Sequence, residues 1–226
     1  MWRIASIVSA LMMAMAMTSC HHSADKEKSD ISGIVPFVDD SGEFAAMEAR
    51  YTSWPDPDTL VIYIDNQQYK VASDGKTYGP DGKLAFSIGN EGRIETLYFA
   101  QKGTSVFLFY TDTTNDGSAS FAKRIDMSTR KALWSSDVTG IAMGRPVIKG
   151  QFAYIASFGF VGKLKLKNGE YDWKYSSLNN GGRFEKFQEI IFANSREVMF
   201  LAPHPFTTEC DTVVVSDLTG EIIRMN

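Results

Sequence analysis

Short runs of apolar residues alternate with polar turn clusters along the chain from Asp58 to its last residue. The runs are rich in β-branched and aromatic residues, as in TLVIYID, SVFLFYT, QFAYIAS and DTVVVSD. The clusters between them, such as SDGK, NDGS, KNGE and LTGE, include Asn-Gly and Asp-Gly pairs, which reach the positive φ of tight hairpins at low cost. Runs of this length between such turns predict antiparallel strands. We therefore predict an all-β domain.

Three segments of this region share one order of residues: 124–138, 163–175 and 213–226. Each is a strand, a turn with Asp or Asn near Thr or Gly, a Lys or Glu, and then a bulky apolar residue. The bulky position is occupied by Trp134, Trp173 and Ile223, and Phe86 fills an earlier copy; the four are 48, 39 and 50 residues apart. Such spacing is typical of propeller blades, which have about 40–50 residues each.

The repeat predicts a propeller-like array of about four antiparallel four-stranded blades. The region after Asp58 has about 170 residues, and at ~40–50 residues a blade it supplies four. Either the blades close a tight four-bladed ring or the ring is incomplete, and we expect the incomplete arc. An arc leaves strand edges open, so we expect residues 34–54 or a partner to cover the open edge, with this segment donating a strand to the first unit or to the last blade.

The segment between the first cysteine and the domain supports two secondary structures. Asp40 and Glu43 have the spacing of a helix capping box, and Phe44, Met47 and Tyr51 recur at helical intervals. A strand fits the same residues. We treat 20–57 as a tether and leading segment, and 58–226 as the propeller-like domain.

The first residues have the pattern of a signal peptide. Arg3 precedes an apolar run from Ile4 to Met17 that is too short to span a membrane, and polar residues follow at once. The stretch MAMTSC resembles a bacterial lipoprotein signal, which implies that residues 1–19 are removed and that Cys20 carries acyl chains anchoring the protein to a membrane. Because His21, rather than Asp, follows this cysteine, we expect the outer membrane rather than the inner one.

The cysteine count and the net charge limit the remaining classes. Cys20 and Cys210 are the two cysteines, so a disulfide between them is the alternative to acylation. Removal of residues 1–19 takes away one of 23 basic residues, Arg3, and none of the 27 acidic ones, which leaves a net charge of −5. This mild acidity provides no basic surface for nucleic acid, so we expect no nucleic-acid partner.

The stretch from Arg145 to Tyr175, RPVIKGQFAYIASFGFVGKLKLKNGEYDWKY, resembles one repeat of the pyrroloquinoline-quinone-like propeller family. The family includes a lipoprotein of the outer-membrane barrel-assembly machinery. Its repeat ends in a turn of Asp, Thr, Gly and Lys or Glu followed by Trp. The best copies here run from Asp126 to Trp134 and from Asn168 to Trp173, and Asp217 to Ile223 is a weaker copy without the Trp. The resemblance implies a propeller fold and a binding role, and does not imply the quinone.

Cofactor and metal chemistry find little support in the residues. Quinone enzymes of this architecture use a much longer chain, a calcium site and typically two adjacent cysteines. The first half of an EF-hand loop is matched by Asp112, Thr114, Asp116 and Gly117. Its twelfth position is Lys123, where a bidentate Glu is needed, so we interpret the stretch as a hairpin turn. We predict no cofactor and no metal.

The single histidine of the predicted domain, His204, lies close in sequence to Glu209, Cys210 and Asp211. Their spacing matches no common zinc pattern. A Ser-His-Asp triad would need the same His204, and no G-x-S-x-G turn accompanies it. Paired carboxylates of a glycosidase have no fixed spacing in sequence, so this alternative stays open.

What remains for function is a set of loop residues on a rigid sheet scaffold, which is a favourable place for binding. As partner-binding residues we predict Arg145, Phe158, Phe160, Arg183, Phe184 and His204, and no catalytic residue. We therefore interpret the protein as a non-catalytic envelope lipoprotein whose propeller-like domain binds another protein. The alternative is a carbohydrate-binding or carbohydrate-active surface lipoprotein. Exposed Trp54, Trp134 or Trp173 in a cleft with two carboxylates would favour the sugar, and tryptophans packed between sheets would favour the scaffold.

Overall fold

The computed structural model describes residues 59–89, 92–179, 182–187, 189–204, 207 and 209–226, and the backbone pairing of 36–37 and 45–49. Cys20, Trp54 and the signal-like segment lie outside these residues. All regular structure in the described part is β, and this part contains no helix that could cross a membrane.

The strands follow one another along the chain with short connections. They are β1 (Pro36–Phe37), β2 (Ala45–Ala49), β3 (Thr59–Ile64), β4 (Gln67–Ala72), β5 (Lys76–Tyr78), β6 (Leu84–Ser87), β7 (Arg93–Lys102), β8 (Ser105–Thr114), β9 (Gly117–Asp126), β10 (Lys131–Val138), β11 (Val147–Lys149), β12 (Phe152–Ser157), β13 (Phe160–Lys165), β14 (Tyr171–Tyr175), β15 (Glu189–Phe192), β16 (Glu197–Pro203), β17 (Cys210–Ser216) and β18 (Ile222–Met225).

Four antiparallel meanders of four consecutive strands make up the fold. We call them blade 1 (β3–β6), blade 2 (β7–β10), blade 3 (β11–β14) and blade 4 (β15–β18). Side chains alternate between the two faces of each blade: in β16, Val198, Phe200 and Ala202 are buried while Met199 and Leu201 on the other face are partly exposed. The predicted fold class, an all-β propeller-like array of four four-stranded blades, is confirmed.

Three hydrophobic clusters join the four blades in series. One contains Ile62 and Leu108 and joins blade 1 to blade 2. The second contains Phe109 and Ile155 and joins blade 2 to blade 3, and the third joins blades 3 and 4 around Phe200. Among the residues that the structure describes, no such cluster joins blade 4 to blade 1. This series of clusters is consistent with an open arc of blades.

The leading segment adds two strands to blade 2. Strand β2 pairs antiparallel with β7, and β1 pairs with β2. The strand alternative is therefore observed for Ala45–Ala49, but the expectation that this segment extends the first or the last blade is wrong. A longer strand offers more backbone hydrogen bonds to an added neighbour, which favours pairing with blade 2. Strand β7 has 10 residues, while β3 has six and β15 has four.

The fourth strand of each blade contains a bulge that sets the position of the repeated aromatic residue. Register places Trp134 opposite Arg124, with Leu133 as the extra residue of the bulge. In blade 3 Trp173 lies opposite Lys163. Phe86 takes the same position in blade 1, opposite Thr77, as predicted.

In blade 4 this position belongs to Arg224, which lies opposite Val214. The prediction that Ile223 is equivalent to the tryptophans is therefore wrong by one residue. Ile223 is the extra residue of the bulge in blade 4, and it is 48% exposed. Counting from the turn cannot locate a bulge, because the inserted residue adds no pattern of its own.

Each tryptophan packs on a glycine turn of the next blade. Trp134 covers Gly169, and Trp173 covers Gly220; a Cβ atom at either glycine would lie within 2.7 Å of an indole carbon. Both glycines have a φ of 74°. The Trp134 Nε1–H group also donates a hydrogen bond to the Leu166 carbonyl at 3.1 Å. These contacts are the predicted matching places in successive sheets, and both indoles are partly buried there.

The turn glycines provide a test of this packing. Gly220→Ala introduces positive-φ strain and a clash with Trp173, so we expect it to lower the free energy of unfolding by about 2–4 kcal/mol. Gly82→Ala is the matched control, because Gly82 has a φ of 73° but no atom within 4 Å of an added Cβ; we expect a loss of about 1 kcal/mol. Urea unfolding measures both. Equal losses would show that the tryptophan packing contributes nothing at this turn.

Candidate partner-binding face

The meander topology brings all six predicted binding residues to one edge of the blades. Connections between second and third strands, and between successive blades, emerge at the same edge because strand direction alternates. We call this edge the partner rim; its described part near blades 2 to 4 comprises 139–146, 158–159, 176–179, 182–187 and 204. The opposite edge, the turn rim, carries the glycine turns that receive the tryptophans.

Backbone hydrogen bonds fasten the partner-rim loops to one another. The Phe158 N–H group donates to the Ile141 carbonyl at 2.8 Å, and the Gly159 N–H group donates to the Phe184 carbonyl at 2.9 Å. The Leu178 N–H group in turn donates to the Gly159 carbonyl at 2.9 Å. Three loops, one between blades 2 and 3, one within blade 3 and one between blades 3 and 4, are therefore joined into one surface, which limits their independent motion.

Arg183 ties the long loop between blades 3 and 4 to strand β17. Its Nε and Nη2 groups both donate to Oδ1 of Asp211, at 2.9 and 2.6 Å. The Asp211 side chain is buried while that of Arg183 is 40% exposed. The guanidinium also lies over the Phe184 ring, 5.1 Å from its centroid. Arg183 thus supports the loop through a buried carboxylate and still presents a cation at the surface.

The six predicted residues differ in how much surface they offer. Phe160 and Phe184 are fully buried: Phe160 packs edge-on against Tyr171 at 5.6 Å, and Phe184 stacks on Phe187 at 5.9 Å. Their rings hold the blades and loops in place and offer no area to a partner. The other four, Arg145, Phe158, Arg183 and His204, remain exposed or partly exposed.

One apolar residue at this rim escaped the sequence reasoning. Ile141 is 42% exposed, although its carbonyl is held by Phe158. Ile141 stands alone in the turn-rich stretch VTGIAMGRP. A single apolar residue has no periodic pattern, so the sequence does not tell whether its side chain is exposed or buried. The exposed patch of the partner rim therefore combines Ile141 and Phe158 with the cations Arg145 and Arg183.

The tryptophans favour the scaffold over the sugar-binding alternative. Trp173 lies between blades 3 and 4, in edge contact with Phe200 at 6.1 Å between ring centroids. The two nearby carboxylates are engaged by a buried cation: Lys163 Nζ lies 2.9 Å from Asp217 and 3.5 Å from Asp172. An indole packed on a glycine turn beside neutralised carboxylates is a blade contact, not an open stacking platform.

The same network binds blade 3 to blade 4. The Tyr154 hydroxyl donates to Oδ1 of Asp217 at 2.6 Å, and Lys163 Nζ lies 4.2 Å from the Phe152 ring centroid. Burial raises the pKa of Tyr154 well above its usual range, and the hydrogen bond to Asp217 raises it further. The phenol therefore stays protonated at neutral pH and acts as a donor to Asp217.

The described residues offer little for metal chemistry. No group of three or more His, Cys, Asp or Glu side chains in the described ranges is placed to hold a metal ion. The stretch with partial EF-hand spacing forms a hairpin, in which Thr114 pairs with Gly117 across a two-residue turn between β8 and β9. Asp112 lies buried within β8.

Comparison with known proteins gives a likeness of fold. No family model matches the chain, and neither does any curated protein sequence. Among solved structures, BamB from Moraxella catarrhalis is similar at 11% identity and a TM-score of 0.46, over 80% of this chain and 52% of that one. The quinohemoprotein alcohol dehydrogenase ADHIIG from Pseudomonas putida HK5 is similar at 15% and 0.47, over 82% and 36%.

A third similar structure is an S. cerevisiae complex of Dbp5 with Nup159 and Gle1, at 11% identity and a TM-score of 0.42, over 80% of this chain and 55% of the matched one. This chain thus spans about half the length of the BamB and Dbp5–Nup159 matches and about a third of the dehydrogenase. The four-bladed all-β array of this chain is propeller-like in its own strand order and pairing.

Proposed function

We propose that this chain is a non-catalytic protein-binding scaffold of the bacterial cell envelope, and that its partner rim is the binding surface. The observation that carries the proposal is the fastening of three loops of the partner rim by backbone hydrogen bonds. A surface that is ordered before binding loses little conformational entropy when a partner docks. Rigid loops on a sheet scaffold are therefore suited to recognition.

The exposed side chains of the rim define the chemistry of the partner. Ile141 and Phe158 supply apolar contact area, and Arg145 and Arg183 lie on the same rim, where Arg183 is paired with the buried Asp211. Arginine beside apolar residues is the composition of energetically important interface positions. The partner segment that fits this rim is apolar.

The envelope location rests on the first 20 residues, which lie outside the described structure. From the pattern of these residues we propose that the protein is anchored by lipid to the outer membrane. Cys20 and Cys210 are the two cysteines of the sequence, so a disulfide between them is the alternative. A thioether to an acyl anchor and a disulfide exclude each other at one sulfur atom. The bridge is therefore the rival of the anchor.

Mass spectrometry of the protein from a bacterial membrane fraction separates the two fates of Cys20. The proposal predicts an N-terminal peptide that begins at Cys20 and carries diacylglyceryl and N-acyl groups. A peptide in which Cys20 is bound to Cys210 would contradict the lipid anchor.

Affinity capture from solubilised envelope tests the partner rim. Ile141→Asp replaces an exposed apolar side chain of the partner rim with a carboxylate and should reduce the captured partner at least about tenfold, as the loss of an apolar contact at an interface predicts. Leu218→Asp is the control, since Leu218 is 85% exposed at the turn rim; its capture should equal that of the wild type. Equal loss in both variants, or glycan-array binding that Ile141→Asp leaves unchanged, would contradict the proposal.

A further inference from the structure

The blades meet through one repeated arrangement of side chains. In each blade a cross-strand row, the forward row, faces the following blade. The forward row of blade 2 is Ala100, Phe107, Arg124 and Trp134. That of blade 3 is Val147, Tyr154, Lys163 and Trp173. The third strand contributes a cation in both rows, and the fourth contributes the tryptophan.

Blade 4 has a forward row without a following blade among the described residues. Register defines it as Ile191, Met199, Val214 and Arg224. Ile191 is 40% exposed, Met199 is partly exposed and Arg224 is exposed, while Val214 is buried. Three apolar residues and one cation thus occupy the positions that hold blades together elsewhere in the arc.

Blade 1 has the complementary surface without a preceding blade. Its turn glycine, Gly82, corresponds to Gly169 and Gly220, yet no atom lies within 4 Å of a Cβ placed on it. The cross-strand row on the face of blade 1 that points away from blade 2 is its back row. It consists of Val61, Lys70, Tyr78 and Leu84. Val61 and Leu84 are 39% and 52% exposed. The receiving turn and the apolar ends of this row are therefore uncovered.

One pair of opposite charges relates the two open surfaces, while Lys70 on the back row has the same charge as Arg224. In the contacts of blade 2 with blade 3 and of blade 3 with blade 4, a forward-row cation reaches the next blade's turn: Arg124 Nη1 donates to the Lys167 carbonyl at 3.2 Å, and Lys163 Nζ lies 2.9 Å from Asp217. At the open ends, Arg224 takes the place of the tryptophan on blade 4, and Asp81 precedes Gly82 in the turn of blade 1. A guanidinium over this turn has a carboxylate within its reach.

We propose that two copies of this chain join head to tail, with the forward row of blade 4 in each copy packed on the back row of blade 1 in the other. Contacts of this kind close a ring when the rotations add to a full turn. Propellers have about 4–8 blades, and two arcs of four supply eight, which lies within this range. Lys70 stands where the back rows of blades 2 to 4 have Val106, Ala153 and Val198, which makes the contact between copies weaker than the internal ones.

Sedimentation equilibrium of the full chain, purified from the envelope in detergent, tests the assembly. We expect a dimer whose dissociation constant rises at least about tenfold in Arg224→Asp and in Asp81→Arg, because each replaces an attraction by a repulsion. The double variant exchanges the two charges and should return the constant to within about threefold of the wild type. A monomeric wild type, a dimer indifferent to both single variants, or an open polymer would each overturn the proposal.

Site-specific photocrosslinking locates the contact independently of folding stability. A photoreactive residue at position 84 should crosslink two copies, because Leu84 lies on the back row of blade 1. Position 133 is the matched control: Leu133 is also 52% exposed but lies in the outer strand of blade 2, away from the open ends. Equal crosslinking at both positions would contradict the head-to-tail contact.

Discussion

The contact of a tryptophan with the glycine turn of the next blade is the interaction on which the arrangement of the blades depends. Trp134 on Gly169 and Trp173 on Gly220 fix both the spacing and the angle between successive sheets, since a single added methyl group has no room. Buried cations complete the contact at the turns, as Lys163 does with Asp217. Each turn therefore has two functions: it closes its own hairpin and receives the preceding blade.

Much of the fold was predictable because its signals are local. Asp-Gly and Asn-Gly pairs mark hairpins wherever they fall, and the spacing of Phe86, Trp134 and Trp173 marks the blades. No local sequence signal marks the bulge that places Arg224, rather than Ile223, at the position equivalent to Trp134 and Trp173. The pairing of β2 with β7 was also beyond reach, since partner choice depends on which edge is long and free in three dimensions.

The loop positions of the candidate residues were predictable, and their exposure only partly. Arg145 and Arg183 were assigned to exposed loops, and both lie in loops, Arg145 exposed and Arg183 partly exposed. Phe160 and Phe184 looked equally suited to a partner, yet both are buried. An aromatic residue beside a turn can point inward or outward without any change in local sequence pattern, so packing between blades decides. Ile141 shows the converse: it is an apolar loop residue whose side chain remains 42% exposed.

Hydrogen–deuterium exchange tests most directly whether the partner rim is a preformed rigid surface. If it is, the amides of Phe158, Gly159 and Leu178, which bond to carbonyls of other loops, should exchange at least about 100-fold more slowly than the amide of exposed Gln151 in the turn between β11 and β12. Exchange of the three amides as fast as that of Gln151 would mean that the loops move independently, and the scaffold account of this protein would be contradicted.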